Sequence, residues 1–274
     1  MAVQNETQIP PALHRFVDDA AVFPPGNAPL DEALTNHRTH RASWYQALIG
    51  PLLLPTSKID QLQTLWNSTD PLRIGLIGDT GIDDVAPTLA SLPDHFTVNQ
   101  VEARAENLNK IDSLITAAAD WGVPAYAEIP VVSNLDKHLD ALVGTGINPK
   151  FRTGGLSADL FPSPAELGNA ISQCARRELD FKLTAGLHHA TRNTDPETGF
   201  THHGFANVLA ATMLAKTGSD LADIRAILET TQPDAPADVI RERLNRDRDL
   251  WVGFGSCSVT EPLDDLIELS LIEH

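Results

Sequence analysis

Two lysines occupy positions where a β-strand would normally bury an apolar residue. Lys182 lies inside "DFKLTAG", Asp180 to Gly186, and Lys150 inside "PKFRTGG", Pro149 to Gly155. Both runs share a plan: a lysine, then a threonine (Thr153 or Thr184), then small residues at the end of the run. A lysine held among Lys150, Arg152 and apolar walls would have its ammonium form disfavoured, because desolvation and like charge both lower a lysine pKa. The neutral amine can attack a carbonyl and form a Schiff base. Glu102 in "FTVNQVEAR" and Glu128 in "VPAYAEIP" are placed to move protons, and Arg152 to hold a carboxylate or phosphate.

These residues need a scaffold that gathers them, and the chain supplies a repeating one. Short β-like runs fall at 20–23, 47–55, 72–79, 96–104, 123–130, 147–155, 180–186 and 250–256, separated by helix-length segments. Eight strand signals alternating with helices predict a (β/α)8 TIM-type barrel, with extra helices at 205–248 between strands seven and eight. No linker divides the chain, so 1–274 reads as one barrel domain. An open doubly wound sheet would call for a Gly-x-Gly-x-x-Gly after the first strand, which is absent.

Strand parity then decides which side chains meet. The face toward the helices is apolar, and alternate residues enter the barrel and reach its C-terminal rim, where sites are built. Val101 and Ala103 facing out sends Gln100, Glu102 and Arg104 inward. Ala125, Ala127 and Ile129 facing out leaves Tyr126 and Glu128 inside. Phe151 facing out turns Lys150 and Arg152 inward, and Phe181 with Leu183 facing out does the same for Lys182 and Thr184. Asp79, at the end of its strand, is placed to join them. With Asp79 included, the seven charged groups sum to +1 inside a chain of net charge −17, a locally basic interior suited to a small anion. The structural alternative is a buried ion-pair network that only fills the barrel.

Gly154, Gly155 and Gly186 let backbone N–H groups approach an anion, and Gly255, Ser256 and Ser258 in "GFGSCS" repeat the device after the last strand. Ser258 or Thr260 is expected to cap the final helix. Arg104, Arg152, Thr153, Gly154, Gly155, Thr184, Gly186, Gly255, Ser256 and Ser258 are thus the expected substrate contacts. Lys150, Lys182, Glu102, Glu128 and His188 are the expected catalytic set. The paired lysines on neighbouring late strands, each followed by glycine, resemble class I aldolases of the deoxyribose-phosphate aldolase type over the fourteen residues of "PKFRTGG" and "DFKLTAG". The resemblance implies that Lys150, on the sixth strand, is the nucleophile and that Lys182, on the seventh, lowers its pKa. Arg152 and Glu102 depart from that family, which has an aspartate in place of Glu102.

"GLHHATRNTDPETGFTHHGF" carries four of the ten histidines. One reading is a long lid, with His188 as its acid–base residue. The other is a divalent-metal site combining Glu102 or Glu128 with His188, His189, His202 or His203. Cys257 lies at the anion-loop position, but with no base next to it in the sequence it reads as a packing residue, and Cys174 reads as helix core at Leu167, Ile171 and Cys174 spacing.

Thirty-seven acidic against twenty basic residues would repel nucleic acid and anionic lipid, and no apolar run spans a bilayer. The N-terminus lacks a secretory pattern, so a soluble cytoplasmic protein is expected, monomeric or homo-oligomeric. The leading functional expectation is a Schiff-base lyase, aldolase-like, that acts on a small anionic carbonyl metabolite, phosphorylated or not, and requires no cofactor. The alternatives are a divalent-metal-dependent isomerase, lyase or hydrolase on the same barrel, and a non-catalytic anion-binding protein.

Overall fold

A computed structural model describes residues 9–273. Among these, eight parallel strands close into a barrel: β1 (Val17–Asp19), β2 (Ile49–Pro55), β3 (Leu72–Ile77), β4 (Phe96–Arg104), β5 (Ala125–Glu128), β6 (Ile147–Arg152), β7 (Phe181–Thr184) and β10 (Trp251–Ser256). β8 (Asn193–Thr194) and β9 (Thr201–His202) form a small antiparallel ribbon in the loop after β7. Each strand pairs with its neighbour in chain order, and β10 closes the ring between β7 and β1.

Helices follow the strands: α1 (Leu30–Ala42), α2 (Ile59–Leu65), α3 (Val85–Ser91), α4 (Leu108–Ala118), α5 (Leu135–Leu142) and α6 (Pro164–Arg177). The insert before β10 holds α7 (Phe205–Lys216), α8 (Leu221–Glu229) and α9 (Asp234–Arg241), and α10 (Thr260–Glu268) ends the described chain. α6 starts where the sequence says it should. Ser163 accepts from the Glu166 N–H, the Glu166 carboxylate accepts from the Ser163 N–H, and Pro164 stands at the first helical position. α7 is apolar on nearly all sides because α6, α8 and α9 pack around it, so it is buried from Phe205 to Thr212. No helix among the described residues is long and apolar enough to cross a membrane.

The first strand is the point of correction. The apolar run 20–23 was expected to form it; instead β1 is Val17-Asp18-Asp19, and residues 20–23 make the turn beyond it. Two adjacent acids are strand-compatible here because the two faces treat them differently. Asp18 enters the barrel, while Asp19 faces α1 and accepts from His37 at 3.0 Å. Register slips by one residue between β1 and β2, from Val17 opposite Ile49 to Asp19 opposite Leu52, and this bulge sets Gly50 beside Asp18.

The lower end of the barrel is tied by Arg248. Its guanidinium donates to the carbonyls of Ala12, His14, Trp251 and Val252 and lies 4.8 Å from the Phe16 ring centroid. Phe16 in turn packs edge-on against Trp251 at 4.8 Å and Phe254 at 5.1 Å, joining the start of β1 to β10.

Candidate active site

The inward parity read from the sequence is the parity observed on β4 to β7. Gln100, Glu102, Tyr126, Lys150 and Lys182 are all buried inside the barrel, while Val101, Ala103, Ala127, Phe151, Phe181 and Leu183 are buried toward the helices. The inward charges form one alternating chain. Asp18 pairs with Lys182. Lys182 Nζ lies 2.9 Å from Glu102 Oε1, and Glu102 Oε2 lies 2.6 Å from Lys150 Nζ. Lys150 Nζ lies 3.0 Å from Glu128 Oε2, and Glu128 Oε1 accepts from Arg152 Nε and Nη2, each at 3.1 Å. Gln100 braces the inner end, its amide donating to Asp18 at 2.8 Å and to Glu102 at 2.9 Å. The Tyr126 ring lies beneath Lys182, with its centroid 5.3 Å from Nζ. Exposure rises along the chain, from 1% at the Lys182 side chain through 16% at Glu128 to 33% at Arg152, so Arg152 is the end that meets solvent.

Asp18 was missing from the sequence reading because it lay just before the expected strand. The signal that marks it is glycine inside the next strand. A Cβ at Gly50 would stand 1.9 Å from Asp18 Oδ1, and one at Gly75 would stand 3.0 Å from Gln100 Cγ. Glycine in a strand interior often marks such a close approach.

Adding Asp18 changes the charge balance. Three carboxylates (Asp18, Glu102, Glu128) and three cations (Lys182, Lys150, Arg152) sum to zero, so the interior is neutral and not basic. Arg104 and Asp79 do not contribute to it. Arg104 is exposed at the end of β4. Asp79 is exposed and accepts from Thr56 Oγ1 at 2.8 Å and from Ser57 N at 3.1 Å.

The expected lowering of the lysine pKa values is also overturned. Burial disfavours the charged form of both lysines, but the carboxylates around them outweigh it. Lys150 is raised by Glu102 and Glu128, and Lys182 by Asp18 and Glu102. In the resting site both are ammonium groups. Burial opposes the charge of Glu102, yet Lys150 and then Lys182 bring its carboxyl down to about 2, and Lys150 with Arg152 holds Glu128 below its ordinary value. Asp18 goes the other way, because desolvation outweighs its contact with Lys182 and lifts it above the usual aspartate range.

The strand-end glycines serve packing as well as access. A Cβ on Gly154 would lie 2.8 Å from Gly186 Cα, and Gly186 itself has φ +78°, so the loops after β6 and β7 touch backbone to backbone. Gly155 is filled against by Leu160, and Gly255 by Leu53. Thr153 is buried and donates to the Ala185 carbonyl at 2.5 Å, while Thr184 is partly open on the rim. Ser256 Oγ donates to the Ser258 carbonyl at 2.6 Å. Val259 stands at the cap position of the last helix without a side-chain bond, while Ser258, one residue before it, accepts from the Glu261 N–H at 3.2 Å.

The four histidines of the loop do not converge. His188 Nδ1 lies 2.9 Å from Glu261, and His189 Nδ1 lies 3.4 Å from Asp265. His202 Nδ1 donates to the Gly186 carbonyl at 3.1 Å, with its ring edge-on to Phe161. His203 Nε2 donates to the Pro162 carbonyl at 2.7 Å, its Nδ1 faces Arg192, and burial lowers its pKa to about 4. Among the described residues no three His, Cys, Asp or Glu side chains are grouped to hold a metal ion, and the inner oxygens of Glu102 and Glu128 are already taken by Lys150. Cys174 is buried on α6, as its spacing implied.

No protein-family model matches the chain, and no curated protein matches it. The geometry of the site therefore carries the functional reading.

Proposed function

We propose that this (β/α)8 barrel is an enzyme that cleaves or forms a carbon–carbon bond in a small anionic carbonyl compound through a Schiff base on Lys150. The observation that carries the reading is the position of Lys150. Its Nζ lies between two carboxylates, 2.6 Å from Glu102 and 3.0 Å from Glu128, and it is one step from the partly open Arg152. Lys182 is deeper, closed in by Asp18, Glu102 and the Tyr126 ring. It serves as the fixed cation that keeps Glu102 ionised.

The resting ammonium of Lys150 must lose a proton before it can attack, and the chain of charges offers a route. An anionic substrate competes with Glu128 for the Arg152 guanidinium. Once Arg152 turns to the substrate, Glu128 loses a cation that held its carboxyl down, its proton affinity rises, and it takes the proton of Lys150. The amine then adds to the carbonyl carbon, and the carbonyl oxygen leaves as water after two proton transfers. Glu128, having returned its proton to the departing water, takes the proton of the β-hydroxyl. The Cα–Cβ bond breaks, its electron pair passes to the iminium to give an enamine, and the hydroxyl-bearing fragment leaves as a carbonyl compound. Protonation of the enamine carbon and hydrolysis then release the other fragment and free Lys150. Substrate binding and nucleophile activation are thereby one event.

The raised pKa values of both lysines, which disfavour a free amine, support a second reading, a non-catalytic anion-binding protein in which the cations supply charge alone. Steady-state assays separate the two. A panel of small anionic aldehydes, keto acids and their aldol adducts should give retro-aldol turnover that Lys150→Met abolishes. Binding of the same anions without turnover, equally strong in Lys150→Met, would favour the binding protein.

A further inference from the structure

The chain of buried charges leaves one reactive cluster unused. Cys257 follows β10 directly, at the same end of the barrel as Arg152, and the turn after β1 packs on it: a Cβ at Gly26 would lie 3.0 Å from Cys257 Cβ. His188, in the loop after β7, places Nε2 3.9 Å from Cys257 Sγ. Its other ring nitrogen, Nδ1, lies 2.9 Å from Glu261 Oε2 in the first turn of α10. Three separate segments thus bring together a thiol, an imidazole and a carboxylate in series. None of them is shut away: the side chains of His188 and Glu261 are 22% and 47% exposed, and Cys257 is half-buried.

The order of the groups matters. Glu261 accepts from Nδ1–H, which fixes the tautomer and leaves Nε2 toward the sulfur. Glu261 is itself held, since its own N–H donates to Ser258 Oγ at 3.2 Å. The Cys257 contact, reinforced by Glu261, raises His188 to about 9 against the opposing effect of burial. An imidazole nitrogen turned toward a thiol can take its proton as the sulfur attacks. Cys174 is the contrast within the same chain, because it is closed inside the packing of α6 and burial pushes its thiol up.

We propose that Cys257, His188 and Glu261 form a second reactive centre at the barrel mouth, a cysteine nucleophile with His188 as its base that takes soft carbon electrophiles independently of Lys150. In the step, Cys257 Sγ forms a bond to the electrophilic carbon and the leaving group departs with its bonding pair. The thiol proton passes to His188 Nε2 as the bond forms, and Glu261 balances the resulting charge. No oxidant or cofactor is consumed. The packing role expected for Cys257 from the sequence rested on the lack of a base beside it in the chain, and folding brings that base from 69 residues away.

Alkylation of the full-length folded protein by iodoacetamide at pH 7, with peptide mass mapping over time, tests this. Cys257 should be modified faster than the thiol of glutathione under the same conditions, while Cys174 stays unmodified. His188→Ala should slow the reaction at Cys257 about tenfold or more, and Glu261→Gln should slow it by a smaller factor. Should His188→Ala fail to fold, the glutathione comparison and Glu261→Gln, a change at a half-exposed side chain, decide the matter. A Cys257 rate no greater than that of glutathione, or one unchanged in Glu261→Gln and in folded His188→Ala, would overturn the proposal.

Discussion

In the proposed reaction Lys150, Glu128 and Arg152 divide the labour at the residue scale, and each is separately testable. Glu128→Gln keeps the shape of the side chain but cannot take a proton from Lys150, so kcat should fall by about 10²–10⁴-fold, the usual range for a positioned acid–base group. Arg152→Ala removes the proposed anion partner, a charge-assisted contact worth about 1.5–3 kcal/mol, so KM should rise roughly tenfold to a hundredfold. Because Arg152 also restrains Glu128, that variant should lower the response of kcat to the charge of the substrate. Equal kcat ratios for charged and uncharged carbonyl compounds in wild type and Arg152→Ala would count against the coupling. Lys182→Met leaves Asp18 and Glu102 without their shared cation in a closed interior, and such a change costs about 3–5 kcal/mol. Urea denaturation should show it as a large drop in midpoint. On β4 to β7 the buried inward residues Gln100, Glu102, Tyr126, Lys150 and Lys182 were legible from parity, since apolar neighbours such as Val101, Phe151 and Leu183 fixed the outward face. Arg104, by contrast, was expected inside and is exposed, and Asp18 was missed. The direction of the lysine pKa shift was not legible, because it turns on the distances to Glu102, Glu128 and Asp18, and those arise only when the barrel closes.

At the scale of elements, the site depends on how β1 and β2 meet. Gly50 leaves room for the Asp18 carboxylate, and the bulge between the two strands sets that glycine in place. Gly50→Ala should displace Asp18, loosen Lys182 and destabilise the fold by about 1–3 kcal/mol, as overpacking does. Thermal melting measures the loss, and an unchanged melting temperature would mean that Asp18 does not fill that space. The strand–helix alternation was readable from β2 to α10 because periodicity changes at each boundary. β1 was not, since three residues with two adjacent acids carry no apolar alternation and the stronger apolar run lies in the turn that follows. The loop after β7 shows the same limit. Its histidines looked like one cluster in sequence, yet separate anchors at Glu261, Asp265, Gly186 and Pro162 pull them apart.

At the scale of the molecule, the buried chain of alternating charges ties stability to pH. Glu102 titrates at about 2, below its ordinary 4.5, so between those values the unfolded chain binds more protons than the folded one. The stability it contributes is complete above about pH 4.5 and is lost as pH falls toward 2. Lys182 is raised, so its contribution is complete below its ordinary 10.5 and is lost at higher pH. Unfolding free energy measured across pH should therefore fall at both extremes, and Glu102→Gln should flatten the acid limb. The six charges of the chain cancel, leaving the whole net charge of −17 on the rest of the protein. A neutral interior inside an acidic shell needs a specific cation at the mouth to admit an anion, the role proposed for Arg152.

In the proposed mechanism Lys150 becomes a neutral amine when an anionic carbonyl compound enters. Reduction with borohydride in the presence of small keto acids and aldehydes, followed by peptide mass mapping, tests it directly. A stable adduct is expected on the peptide that carries Lys150, none on Lys182, and far less adduct in Glu128→Gln. Trapping on Lys182, or the absence of any adduct with substrates that the protein binds, would contradict it.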